Sequence, residues 1–416
     1  MPAFRIVIRL CCDAAFRLAN EALGVTYFAG ISYGRSLLFC PGEHAIASSK
    51  PSGSGPSDRG LAASSREVFA LIAILRGWMG SGPGELLRDK GQEGDDLDAV
   101  LALAIRTKTL GLLSGGFDRS ETAMPTRLSD ELARRHEEIL AINLRALTTI
   151  AKVAQAFAEE RLPYVVIKGP LRAEQVYGSM DVRFGSDVDV YTDREHYRAA
   201  EQVLERRLGY TCLVPEDDTW WHDYLGEAPF AAPDPSAVLI DLHNQLQQPG
   251  GPYPHDVKSF VENAETRAIG RASARILSPD NALMLTAISF GKAVRNAEPW
   301  IAYAHELAYA LHQMPSSAEE TLTRRARAIG IGRLFDEFLQ SSKALFGAPI
   351  TDNTPESRKR LAMSSCGFAP HALLARSRAS WRWTEGAVLA RPARFSRAIL
   401  REAQGRMAYR TSTRFD

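Results

Sequence analysis

Hydrophobic periodicity divides the chain into a helical beginning, a short strand-bearing middle and a helical end. REVFALIAILRGWMG (66–80) and DDLDAVLALAIRTKTLGLL (95–113) each repeat apolar residues on one helical face. Ser129-Asp130-Glu131 opens a longer periodic stretch running through Ala158. Its Leu132, Ile139, Leu140, Ile142, Leu144, Leu147 and Ile150 mark a broad buried face. These three helices are expected to pack as one unit. The period then switches. PYVVIKG (163–169) is a short apolar strand ending in glycine, and DVDVY (187–191) alternates carboxylate with valine, as a strand with two unlike faces does. DREHYRAAEQVLERRL (193–208) reads as a helix with Asp193 near its start, while YTCLV (210–214) and AVLIDLH (237–243) read as strands. Helices return at 279–294, opened by Ser278-Pro279, and again at 298–313, 317–328 and 331–346.

The pattern predicts an α+β fold, a small mixed sheet with helical regions before and after it. The expected divisions are a poorly defined leader and linker (1–65), a helical region (66–160), a sheet-bearing core (161–265), a C-terminal helical region (266–350) and a basic tail (351–416). SSKPSGSGPSDRGLAASS (48–65) has linker composition. From His371 onward there are ten arginines against three acids, with Trp381 and Trp383 at the head of that stretch. A solvated helical face accounts for such a run, and an anionic partner is the alternative. No internal repeat is evident.

Composition narrows the partner. The 416 residues are 45% hydrophobic and 24% charged, the balance of a soluble globular protein. Lys plus Arg number 50 against 49 for Asp plus Glu. A dedicated nucleic-acid binder carries a basic excess, so a small molecule, a peptide or a protein is the expected partner. Cys11, Cys12, Cys40, Cys212 and Cys366 show no metal-ligand spacing. No apolar run reaches membrane-span length, and none near Arg5 and Arg9 makes a signal peptide, so a cytoplasmic protein is expected.

The candidate chemistry lies in the middle. Strand alternation puts Asp187 and Asp189 on one face, with Val188 and Val190 on the other. Two adjacent carboxylates repel unless a divalent cation lies between them. Mg²⁺ favours a few carboxylates together with substrate phosphates, which suits a nucleoside triphosphate site. An exposed strand face carrying two acids is the plain alternative. Parity likewise puts Asp241 and His243 on one face of their strand, and Ile240 and Leu242 on the other.

KGPLRAEQVYGSMDVRFGSDVDVYTD (168–193) resembles the uncharacterised nucleotidyltransferases of the DNA polymerase beta superfamily. The likeness is carried by Lys168-Gly169, then Tyr177, Arg183 and Ser186, and then Asp187 and Asp189. It continues through IDLH, with Asp241 and His243, to LSPDNALML (277–285), and extends from about Arg66 to Gly347. It implies a nucleotidyltransferase core at 161–265. It also implies an enzyme in which Asp187 and Asp189 hold two Mg²⁺ ions and Asp241 is the third metal-binding and catalytic carboxylate. The co-substrate would be an NTP, ATP among them, and NMP would pass to an acceptor of unknown identity (small molecule, peptide or protein). Two metals stabilise both oxygens of an in-line displacement, and the third carboxylate can accept the attacking hydroxyl's proton.

The chain departs from the superfamily in two places. Its usual Gly-Ser pair is here Lys168-Gly169-Pro170, with a longer interval to Asp187. Gly169 can bring backbone N–H groups to phosphate oxygens, and Lys168 either offers a point charge to the triphosphate or is an ordinary charged strand end. Where relatives often carry a histidine in the first C-terminal helix, either Lys292 or Arg295 takes its place or the role is lost. Arg183 and Ser186 either contact phosphate or brace the loop, and His243 either orients a carboxylate or is structural. Trp220, Trp221 and His222 either line an acceptor pocket or belong to the core. Acceptor contacts are expected from the flanking helices, with Arg295, His305 and Glu306 on a helical surface. The rival readings are a D-x-D glycosyltransferase, opposed by the helical stretch ahead of the motif, and a non-catalytic nucleotide-binding adaptor.

Overall fold

The computed structural model describes residues 65–80, 94–119, 124–183, 185–215, 220–246, 253–296 and 299–347. The expected leader and linker (1–65), apart from the start of the first helix, and the basic tail (351–416) lie outside the described residues.

The first helix, α1 (Ser65–Leu75), buries Leu71, Ile72, Ile74 and Leu75 almost completely. An apolar surface all round suits a helix enclosed by others. It continues as a 3₁₀ turn (Arg76–Met79) that buries Trp78. The next segment, expected as one helix over 95–113, is two: α2 (Gly94–Arg106) and α3 (Leu110–Arg119). Thr107 Oγ1 donates back to the Leu103 carbonyl at 2.9 Å, and Lys108 turns at φ 58°, so the helical path ends there. Threonine offering its hydroxyl to the backbone competes with helix continuation, a signal that apolar periodicity does not contain. Helix α4 (Thr126–Glu159) is 34 residues long, about 50 Å at 1.5 Å per residue.

The middle of the chain forms β1 (Val165–Val166), α5 (Pro170–Tyr177), β2 (Asp187–Tyr191), α6 (Tyr197–Arg206), β3 (Thr211–Cys212), a π-helical turn (Trp220–Leu225), β4 (Glu227–Ala231) and β5 (Leu239–His243). A short helix α7 (Lys258–Glu262) and the hairpin β6 (Glu265–Ile269) and β7 (Ala272–Ile276) follow. Then come α8 (Pro279–Asn296), α9 (Ile301–His312), α10 (Ala318–Ala328) and α11 (Gly332–Phe346). The strands build a seven-stranded mixed sheet in the order β3-β4-β5-β2-β1-β7-β6. Strands β2 and β5 are parallel at its centre, and β1 runs antiparallel to β2. The fold is α+β, as the periodicity implies.

Three strands escape the sequence pattern, each for a visible reason. Pro229 sits inside β4, where proline cannot donate to a ladder and so argues against a strand. Strand β6 is largely exposed and gives weak alternation, while β7 turns Ala274 and Ile276 into the core, too few apolar positions to stand out as a strand.

Two hydrophobic cores meet the sheet. Behind it, α4 and α6 cover Val188, Val190, Phe230, Ile240 and Leu242 with Phe157, Tyr197 and Leu204. In front, Val165, Ile167, Tyr177 and Tyr191 join a larger core built mainly from α1 to α3 and α8 to α11. No helix among the described residues is long and apolar enough to cross a membrane.

Candidate active site

The site begins with alternation on β2 and β5. Val188 and Val190 point into the rear core, 1% and 0% exposed, as do Ile240 and Leu242 at 0%. Burying side chains of this size stabilises the fold by about 1.5–3 kcal/mol each. A slip of one residue would bury carboxylates in their place, so these four set the register. That register pairs Asp189 with Asp241 and Tyr191 with His243, and leaves Asp187, Asp189, Asp241 and His243 on the front face.

Ligand atoms of Asp189, Asp241 and His243 all lie within 4.8 Å of one another. Asp187 shares the face but stands outside that group of three. Lys168 Nζ and His243 Nε2 each lie 3.1 Å from Asp189 Oδ1. Glu227, directly opposite His243 across the β4–β5 pair, places Oε2 3.6 Å from His243 Nδ1.

The electrostatics separate the three acids. Burial pushes the Asp189 carboxyl up, but Lys168 and His243 outweigh it and hold the group well below the usual carboxylate range. Burial, and then repulsion from Asp189, push Asp187 up. Burial, and then Asp187, Asp189 and Glu227, push Asp241 up further. Burial lowers the Lys168 ammonium, yet Asp189 more than restores it, so the lysine is charged. Lys168 and the His243 hydrogen bond satisfy Asp189, while Asp187 and Asp241 repel their neighbouring carboxylates. A divalent cation relieves that repulsion, and the two-carboxylate-plus-imidazole donor set fits one.

Around this centre stand the other residues singled out from sequence. Gly169 has φ 91°, a conformation that favours glycine, and nothing lies within 4 Å of where a Cβ would project. The corner from β1 into α5 is therefore open beside Lys168, and Pro170 begins the helix where its missing N–H costs nothing. Arg183 Nη1 donates to Glu306 Oε2 at 2.9 Å, and its guanidinium carbon is 5.8 Å from the Tyr303 ring centre. Ser186 is exposed just before β2. The loop carrying Arg183 and Ser186 is held from behind, because Asn143 Nδ2 donates to the Met180 carbonyl at 2.5 Å and the Arg183 carbonyl at 2.9 Å. Helix α3 presses on the same loop at Gly111, where a Cβ would fall 2.5 Å from the Val182 oxygen.

Two surface expectations need correction. Glu306 is 3% exposed, not a surface contact: Oε1 accepts from Arg172 Nε at 2.9 Å and from Thr286 Oγ1 at 2.7 Å, and Oε2 accepts from Arg183. Burial raises its carboxyl, but the two arginines outweigh it and keep the group ionised. His305 is 0% exposed, between Tyr177 and the Leu75 carbonyl. Both face inward because α9 is enclosed by α1, α5, α8 and α11. His222 is likewise buried, with Nε2 donating to the Pro215 carbonyl at 3.0 Å. Trp221 is half-buried, and Lys292 is half-buried on α8. The side chains of Trp220 and Arg295 lie outside the described residues.

Sequence reasoning missed Glu227, Tyr303 and Lys108. Lys108, in the turn between α2 and α3, adds positive field at Asp187, and Tyr303 stands beside Arg183. None of the three belongs to a spaced motif; a correct reading of β4 would have been the one available signal, for Glu227.

No curated protein matches the chain. The solution structure of the antibiotic-resistance factor ANT(2'')-Ia is similar over 48% of this chain and 92% of its own, at 14% identity and a TM-score of 0.26. A likeness that low carries no argument about fold or chemistry. The family comparison is stronger: the model described as an uncharacterised nucleotidyltransferase matches residues 93–347, more than half of the chain, beginning just ahead of α2 and ending after α11. That span holds all the site residues described above, and the chain belongs to this nucleotidyltransferase family.

Proposed function

We propose that the front face of β2 and β5 is the catalytic centre of a Mg²⁺-dependent nucleotidyltransferase that moves NMP from an NTP to an acceptor hydroxyl or phosphate. The observation that carries this reading is the parallel register of Asp189 beside Asp241, with Asp187 on the same face. Such a centre uses divalent ions to neutralise charge on the triphosphate and polarise the α-phosphorus. Asp187, Asp189 and Asp241 would hold them. Asp241 would also receive the proton of the attacking hydroxyl, and pyrophosphate would leave as the new P–O bond forms.

The cationic groups fit the leaving triphosphate. Lys168 lies beside Asp189, Gly169 leaves its corner open to a phosphate, and Tyr303 is a neighbour of both Arg183 and Lys168. Ser186, exposed on the loop next to Asp187, is the remaining phosphate contact assigned to the site. The buried Glu306 fixes the Arg183 guanidinium, so its charge is presented without the entropic cost of ordering a free side chain. A small molecule, peptide or protein is the proposed acceptor, and a soluble cytoplasmic setting the proposed location.

The test is incubation of the full chain with each α-labelled NTP, Mg²⁺ and a cell extract. Label should move to an acceptor, with pyrophosphate released, and both should vanish for Asp189→Asn. NTP binding without transfer under every condition would favour the non-catalytic adaptor instead.

A further inference from the structure

One group at the centre is not used by a site made of carboxylates alone. His243 is 8% exposed and faces two acids through its two ring nitrogens: Nε2 lies 3.1 Å from Asp189 Oδ1, and Nδ1 lies 3.6 Å from Glu227 Oε2. Strand register fixes both relationships. Glu227 is the cross-strand partner of His243 on β4, and Asp241 is two residues earlier on the same face of β5. Without a cation the 3.1 Å contact is a hydrogen bond in which Nε2 donates to Asp189. A bound cation would take the place of that proton, and Glu227, behind Nδ1, is placed to favour the proton on that side and turn the Nε2 lone pair forward, the usual arrangement behind a metal-binding histidine. Here the forward side holds Asp189 and Asp241, within 4.8 Å of the imidazole nitrogen.

We propose that His243 is a metal ligand, oriented by Glu227, in a mixed nitrogen–oxygen site with Asp189 and Asp241 that takes a first-row transition ion such as Mn²⁺ in preference to Mg²⁺. The inference rests on the carboxylate reading above and divides the centre into two unlike positions. Asp187 and Asp189 with the triphosphate offer only oxygen, which suits Mg²⁺. Asp189, Asp241 and His243 offer an imidazole, which binds transition ions more strongly than it binds Mg²⁺. The second position is built by the protein alone and needs no nucleotide to exist.

The experiment uses the full chain without nucleotide. Mn²⁺ and Mg²⁺ affinities are measured by calorimetry, and bound Mn²⁺ is examined by electron spin echo spectroscopy for nitrogen modulation. The wild type should show that modulation and bind Mn²⁺ more tightly than Mg²⁺. In His243→Ala the modulation should disappear and Mn²⁺ affinity should fall about tenfold or more, with Mg²⁺ affinity little changed. Glu227→Gln should keep the modulation and weaken Mn²⁺ about tenfold. Mn²⁺ bound to the wild type without nitrogen modulation would overturn the inference and leave the carboxylate site standing, and that readout does not depend on any variant folding. Absence of both ions from the wild type would overturn this inference and the carboxylate site together.

Discussion

Arg183 and Glu306 lie 123 residues apart in the chain and meet in a 2.9 Å ion pair. Glu306 also binds Arg172, so one buried carboxylate ties α5, the loop before β2 and helix α9 together. Removing its charge leaves the buried Arg172 without its carboxylate and the half-buried Arg183 without its brace, and stranding a buried cation costs about 3–5 kcal/mol. Glu306→Gln should therefore lose stability of that order in denaturant unfolding. Arg183→Gln should lose less, because Arg172 stays paired, yet raise the Kd for NTP about tenfold, reflecting a lost charge-assisted phosphate contact. If Arg183→Gln leaves NTP affinity unchanged, Arg183 is a brace and not a phosphate ligand.

Asn143 should prove to be a positioning residue for the same loop. Its amide donates to the Met180 and Arg183 carbonyls from the buried side of α4. Asn143→Ala removes both bonds and should destabilise the protein by about 2 kcal/mol, at roughly 1 kcal/mol per bond. The KM for nucleotide should rise more than kcat falls, since the loop carries the proposed phosphate contacts. An unchanged KM would separate the loop from nucleotide binding.

Acid sensitivity has a defined source in His305. The Leu75 carbonyl can only accept, so Nε2 carries the proton and Nδ1 accepts from the Tyr177 hydroxyl, which requires a neutral ring. Burial, the largest influence, lowers its pKa to about 4 against an ordinary 6.5. Between those values the unfolded chain binds a proton that the folded chain does not. The contribution is thus intact above about pH 6.5 and is lost as pH falls toward about 4. A shift of that size corresponds to about 3 kcal/mol. Unfolding free energies measured across this window should decline, and His305→Gln should flatten the decline. An equally steep curve in the variant would place the acid sensitivity elsewhere.

Much of this arrangement is legible in sequence because strand parity is a strict rule. DVDVY and LIDLH each commit their aliphatic residues to one face, and the acids follow. What parity does not contain is the partner strand's register, so the 3.1 Å approach of His243 to Asp189 and the role of Glu227 emerge only in three dimensions. Helical periodicity failed differently. His305 and Glu306 sit among apolar residues of α9, yet their polarity by itself predicts an outward-facing position. They point inward because Tyr177, Arg172, Arg183 and Thr286, from distant parts of the chain, satisfy them, and no local pattern records such long-range pairing.

The most direct test of the three-carboxylate centre is thermal melting with and without Mg²⁺ plus NTP, for the wild type and for Asp187→Asn, Asp189→Asn and Asp241→Asn. Without ligand the variants should differ in sign. Asp187 and Asp241 carry carboxyls that burial and mutual repulsion push up, so neutralising either should hold or slightly raise the Tm. Asp189 is stabilised in its charged form by Lys168 and His243, so Asp189→Asn should lower it. With ligand, the wild-type Tm should rise and all three variants should lose most of that rise, because cation and triphosphate are held through these carboxylates. Ligand stabilisation of equal size in the wild type and the three variants would contradict the account.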